Sequence, residues 1–155
     1  MQKSKNAFTM IEMVFVIVVL GILAAIAIPK FAATRTDAQI AKARSDIASI
    51  RSAIVTERQT QLIKGLNAYM PRLSTGVVGA NLFTGSDVNR TLLMYGISAD
   101  EWQNTATVAG TSDTYTITIS NVTLTFTYTV ADGTFSCSTT LGNDDQDALC
   151  KNLIN

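Results

Sequence analysis

Residues 13–28 carry no charged and no strongly polar side chain, and with residues 8–11 they reach the ~20 residues that cross a bilayer as a helix. One residue interrupts that character, Glu12. A carboxylate held in the apolar part of a membrane helix costs about 2.5–3.5 kcal/mol at the helix centre, so such a residue either has a partner and a task or lies where it can snorkel to the headgroups. Any fold for this chain must therefore leave room for an apolar helix with an acid near its start.

The surroundings of the run admit several readings. Residues 1–7 contain Lys3 and Lys5, and the downstream edge, Ala24-Ala25-Ile26-Ala27-Ile28-Pro29, has the small residues of a signal-peptide cleavage site. An uncleaved signal anchor is a second reading. Helical rhythm continues over residues 30–64 with only Pro29 interrupting it, which favours a third: the run is the first part of one longer helix.

Beyond Pro29 the pattern becomes amphipathic. Ile40, Ala43, Ile47, Ile50 and Ile54 fall on one stripe, while Arg35, Asp37, Lys42, Arg44, Asp46, Arg51 and Arg58 occupy other faces and read as a solvated surface. Gly65 is a plausible stop. A helix over residues 8–64 would be about 85 Å long at 1.5 Å per residue. Residues 66–110 are punctuated by Pro71, Gly76, Gly79 and Gly85, with short helices expected at 86–95 and 98–103, the second opened by a Ser98-x-x-Glu101 capping box. Trp102 is expected to pack this region onto the sheet, with stacking on a ligand as the alternative.

The period then changes to two. Residues 115–119, 122–130 and 134–139 alternate apolar and hydroxyl side chains and read as a three-stranded antiparallel meander with one threonine-rich wet face. Its other face, Tyr115, Ile117, Ile119, Leu124, Phe126, Tyr128 and Phe135, would cover the isoleucine stripe. The expected fold class is α+β, a long N-terminal helix on a small antiparallel sheet.

Composition narrows the chemistry. Twelve basic and 12 acidic side chains give a formal net charge of zero, with no basic stripe to hold a phosphate backbone, so nucleic-acid binding is not expected. Histidine is absent, which removes the commonest general base and metal ligand. No glycine-rich phosphate loop or nucleophile elbow occurs. The chain reads as a non-enzyme.

Lys5-Asn6-Ala7-Phe8-Thr9-Met10-Ile11-Glu12 resembles the processing site of type IV prepilins and of the related pseudopilins of type II secretion. In that family a short basic leader ends in a small residue, cleavage exposes a phenylalanine, and a glutamate lies four residues beyond it. Gly21 within the run and Pro29 at its end match a glycine and a proline of pilin-like helices, so the likeness extends from Lys3 to about Lys64. One departure is Ala7, where the family usually has glycine.

The resemblance implies a leader at residues 1–7, a membrane-spanning and assembly segment at 8–29, an amphipathic helix at 30–65 and a globular remainder at 66–155. It implies cleavage between Ala7 and Phe8 by a prepilin peptidase, N-methylation of Phe8, and a filament of identical subunits made through the N-terminal helix on an inner-membrane platform. The chain would first be a single-pass protein of the inner membrane, in contact with lipid and with its globular part in the periplasm. Glu12 would pair with the terminal amine of a neighbour in a low-dielectric core, setting register more than stability. Gly21 and Pro29 mark where the helix is weak enough to bend or unwind.

Outside the cytoplasm the two cysteines, Cys137 and Cys150, are expected to form a disulfide closing a loop of about 14 residues, worth about 3 kcal/mol. Free thiols are the alternative. Many pilins carry such a bridge. Between the cysteines, Asp144, Asp145 and Asp147 read as a solvated turn, although three carboxylates could contribute to a calcium site like that of the major pseudopilins. Otherwise no cofactor is expected. A rival function is a monomeric periplasmic module on an uncleaved anchor, binding a ligand at the acidic loop or at residues 76–85.

Overall fold

The computed structural model describes residues 8–75, 81–108, 110–138 and 143–154. Residues 1–7, expected to be a leader and including Ala7, lie outside the described residues, as do Gly76 and Gly79. The chain divides into two units, Met1–Ala38 and Gln39–Asn155.

Helix α1, Met10–Ile63, contributes to both. At its start, Thr9 accepts the Glu12 amide on its hydroxyl at 3.3 Å and the Met13 amide on its carbonyl at 3.2 Å, meeting two of the donors that a helix N-terminus leaves free. At its end, Gly65 turns left-handed with φ 79°. The Gly65 amide reaches the Leu62 carbonyl at 3.0 Å and the Leu66 amide the Gln61 carbonyl at 2.9 Å, the paired bonds of a Schellman stop.

In the second unit the apolar stripe faces inward as its spacing requires. Ala43, Ile47, Ile50 and Ile54 are buried and Ile40 is half-buried against the core. Opposite them lies an antiparallel sheet of β3 (Trp102–Val108), β4 (Ser112–Ile119), β5 (Val122–Thr129) and β6 (Thr134–Cys137), preceded by a small hairpin of β1 (Gly85–Asp87) and β2 (Arg90–Thr91). Tyr115, Ile117, Ile119, Leu124, Phe126, Tyr128 and Phe135 all point into the core, and the alternate threonines face outward. Ser120 and Asn121, with φ 50° and 68°, join β4 to β5 through the two-residue primed turn that strand twist favours. Phe83, Trp102, Tyr115, Phe126 and Phe135 form one aromatic cluster, with Phe126 stacked on Phe135 at 5.3 Å and Phe83 tilted on Tyr115 at 4.5 Å.

Three expectations are corrected. The sheet has four strands, not three, because β3 pairs with β4 along its edge. Only Trp102 of β3 is buried, and a register shift between Asn104 and Ala106 breaks the alternation by which a strand is recognised. Residues 86–95 and 98–103 are not helical. Gly85 at φ 110° and a tight turn on Asp87, whose Oδ1 accepts the amides of Asn89 and Arg90 at 2.8 and 3.0 Å, make the first a hairpin. The Ser98 hydroxyl accepts the Asp100 amide at 3.3 Å and forms a turn leading into β3, while Glu101 pairs with Lys42 of α1. Finally, the acidic segment opens a second helix, α2, Asp144–Ile154, instead of a surface turn.

Candidate functional site

Two regions concentrate the unusual chemistry, and each lies within one unit. In the first, sixteen large apolar side chains from Phe8 to Phe31 are exposed, and none of the most apolar stretch of α1 is buried. Burying such side chains is worth about 1.5–3 kcal/mol apiece, so together they outweigh the 5–15 kcal/mol stability of a typical domain. A surface of that kind is matched to an apolar environment or to another protein surface. By length and composition α1 is the one helix among the described residues able to cross a membrane. Glu12 stands third in this helix, exposed among Ile11, Met13 and Phe15. As a first-turn acid it gains about 0.3–1 kcal/mol from the helix dipole, less than its cost in a bilayer centre, so capping alone does not account for it. Gly21 has open space where a side chain would lie, and Pro29 sits inside the helix.

In the second unit, polar groups fasten loop to helix and sheet. Arg90 grips Glu57 with Nε to Oε1 at 2.8 Å and Nη2 to Oε2 at 3.0 Å, and donates also to the carbonyls of Ala68 and Tyr69 at 3.2 and 3.3 Å. Buried Asp113 accepts the Leu73 amide at 2.7 Å and the Tyr115 hydroxyl at 3.2 Å. The Ser74 hydroxyl in turn meets Tyr115 at 3.0 Å and accepts the Phe83 amide at 3.0 Å. Burial raises the Tyr115 and Tyr128 hydroxyls above their ordinary range, so both stay neutral, Tyr115 in this network and Tyr128 donating to the Met70 carbonyl at 2.8 Å. A groove of about 730 Å³ runs between the Ser45, Ser49 and Thr56 face of α1 and residues 89–93.

Five of the helix charges expected to be solvated, Lys42, Arg44, Asp46, Arg51 and Arg58, are engaged within this unit, while Arg35 and Asp37 are exposed as expected. Arg51 donates to the Phe135 carbonyl at 3.0 and 3.2 Å, Arg44 to the Asn152 carbonyl at 2.8 Å, and Arg58 lies 4.4 Å over the Tyr69 ring. Asp46 accepts the Trp102 indole N–H at 3.2 Å, and burial raises its carboxyl pKa. Trp102 is thus held in the core and has no face free for a ligand. Lys42, hydrogen-bonded to Glu101, is pushed up from its ordinary value.

At the C-terminus Cys137 of β6 and Cys150 of α2 are disulfide-bonded, and Leu153 is buried in the core. Asn143 begins α2, accepting the Asp145 amide on its side chain at 3.1 Å and the Asp147 amide on its carbonyl at 3.1 Å. Asp144, Asp145 and Asp147 occupy the first turn, where the dipole favours acids. Each residue turns the helix by about 100°, so Asp144 and Asp147, three residues apart, share one face while Asp145 points away from Asp144. Among the described residues no group of three or more His, Cys, Asp or Glu is placed to hold a metal ion.

Comparison with known proteins joins these observations. Residues 2–28 match the prokaryotic N-terminal methylation motif. The chain is 28% identical over 163 residues to the type IV major fimbrial protein of Dichelobacter nodosus, an alignment covering 97% of this chain and 99% of that one. It is 32% identical over 115 residues to the major component of the type IV narrow pilus of Thermus thermophilus, covering 74% of this chain and 97% of the relative. The chain belongs to the type IV pilin family. A fimbrial protein of Pseudomonas aeruginosa matches this pilin over 51 residues at 37% identity, a third of each chain. No solved structure matches the pilin significantly.

The structure brings the pilin's Cys137 and Cys150 together and places Phe8, Glu12, Gly21 and Pro29 along one exposed apolar segment. Sequence reasoning missed Thr9, although Thr9-x-x-Glu12 has the spacing of a capping box. It also missed Asp113, which sits in the inward-facing register of β4, where an apolar residue would be expected.

Proposed function

We propose that this pilin is made with a basic leader, inserted in the inner membrane, cut between Ala7 and Phe8 by a prepilin peptidase, methylated on the new terminus and polymerised through α1 into a type IV pilus. The single observation that carries the reading is the exposed apolar first part of α1 with one carboxylate, Glu12, in its first turn. Before assembly lipid covers that surface. After it, the same surface of neighbouring copies does so, and the filament is a homo-oligomer.

Cleavage creates an α-amino group on Phe8, and methylation leaves it positive. In the packed core the Glu12 carboxylate of one subunit pairs with the amine of another. Such a pair contributes little net stability, but breaking it strands a buried charge at about 3–5 kcal/mol, so it fixes the stagger of adjacent subunits. Gly21 and Pro29 lower the cost of bending the helix on leaving the bilayer. The two relatives matched over most of their length are major components of type IV fimbriae or pili, which supports a surface pilus over a secretion pseudopilus.

The test is the mass and N-terminal residue of protein from its native membrane. The expected result is a chain beginning at methylated Phe8, and a Glu12→Ala variant that is processed yet absent from filaments. An intact Met1, a cut near Ala27, or normal filaments from Glu12→Ala would overturn the reading.

A further inference from the structure

The turn between β1 and β2 is written Asp87-Val88-Asn89-Arg90-Thr91. Asn-x-Thr without proline is the acceptor pattern for N-linked glycans and belongs on a surface loop. An acid two residues before the asparagine would add a charge-assisted contact to a cationic subsite of the transferring enzyme. Asp87 supplies that acid. We propose that Asn89 is a glycan acceptor, modified from an oligosaccharide linked to a polyprenyl diphosphate.

The local geometry suits the transfer. Asp87, Asn89 and Thr91 are exposed, and Val88 between them is 90% exposed. The Asn89 carboxamide and the Thr91 hydroxyl have no hydrogen-bond partner among the described residues, so both groups that the enzyme must engage are unencumbered. The hairpin pairs only Gly85 with Thr91 and Asp87 with Arg90, so its tip opens with the loss of few bonds. Its base stays fixed by the Arg90 grip on Glu57. In the reaction the Asn89 amide nitrogen forms a bond to the anomeric carbon, the bond from that carbon to the diphosphate oxygen breaks, and the amide proton leaves to a base. Polyprenyl diphosphate is the leaving group, and nothing is oxidised or reduced.

A second occurrence of the pattern provides an internal contrast. Asn121-Val122-Thr123 also fits Asn-x-Thr, but the residue two before it is Ile119, apolar and buried. The Thr123 hydroxyl is bonded to Thr118 at 2.9 Å, and Asn121 itself is locked at φ 68° between two central strands. Asn121 is therefore not an acceptor. Glycan on Asn89 would stand at the rim of the groove beside α1, of which Asn89 is a lining residue.

The inference rests on the reading that the globular unit lies outside the cytoplasm, and one mass-spectrometric experiment separates the two. Protein from the native membrane is digested, and peptides containing Phe8, Asn89, Asn121 and the joined cysteines are sequenced. The expected result is a sugar increment localised to Asn89, none on Asn121, loss of the increment in Asn89→Gln and in Asp87→Asn, which keeps the turn's oxygen acceptor and removes the charge, and its retention in Asn121→Gln. A bare Asn89 peptide from chains that begin at Phe8 and carry the disulfide would overturn the glycan alone. The same holds for an increment that maps to serine or threonine, or one that survives Asp87→Asn. An intact Met1 with free thiols would overturn both readings.

Discussion

Asp46 and Asp132 respond to folding in opposite directions. Burial against Trp102 raises the Asp46 carboxyl above its ordinary 3.8, so the folded state favours the protonated form and the group's contribution declines as pH rises from about that value through the raised one. Asp132 accepts the Thr134 hydroxyl at 2.7 Å and the Thr134 amide at 3.0 Å, which lowers its carboxyl. Its contribution is present above the ordinary value and is lost as pH falls through the lowered one. Asp46→Asn keeps an oxygen for the indole N–H and removes the charge. Urea midpoints of the variant should exceed those of the parent near neutrality and converge with them toward pH 3.8, and an unchanged pH profile would contradict the assignment. At this scale legibility depended on contrast with neighbours. Glu12 stood out because its neighbours are apolar, whereas Asp113 and Glu57 sit in polar-looking stretches and are bonded to partners 40 and 33 residues away in sequence.

Elements were readable where the periodicity is long and uninterrupted. The stripe from Ile40 to Ile54 and the alternation in β4 and β5 are each dictated by one buried face, so pattern and burial coincide. Elements held by side-chain capping were less so. The β1–β2 hairpin depends on Asp87, α2 on Asn143, and β3 on pairing with β4 across a bulge, none of which leaves a hydrophobic rhythm. The end of α1 was legible from one glycine. Gly65 is left-handed with open space around its α-carbon, so Gly65→Ala meets no clash and costs only the backbone strain, about 1–2 kcal/mol by thermal or urea unfolding. A neutral substitution would mean that the Schellman stop does not hold the helix end.

Across the whole molecule, α+β class and the identity of the apolar helix followed from composition and order alone, while the fourth strand and terminal helix required three-dimensional pairing. The disulfide joins the last strand, β6, to that terminal helix. Chemical denaturation of a Cys137→Ser, Cys150→Ser variant should show a loss of about 2–4 kcal/mol, and a much smaller loss would mean that α2 is held by Leu153 and Arg44 without the bridge.

That bridge has a mechanical meaning as well. A subunit stretched from its two ends would yield length by paying out chain, but the 13-residue separation between Cys137 and Cys150 cannot be paid out while the sulfurs are joined. At about 3.3–3.6 Å per residue, less the 6.0 Å already spanned between the two α-carbons, this withholds about 40 Å of slack. A reducing medium would restore it, making the tether longer without changing its anchoring.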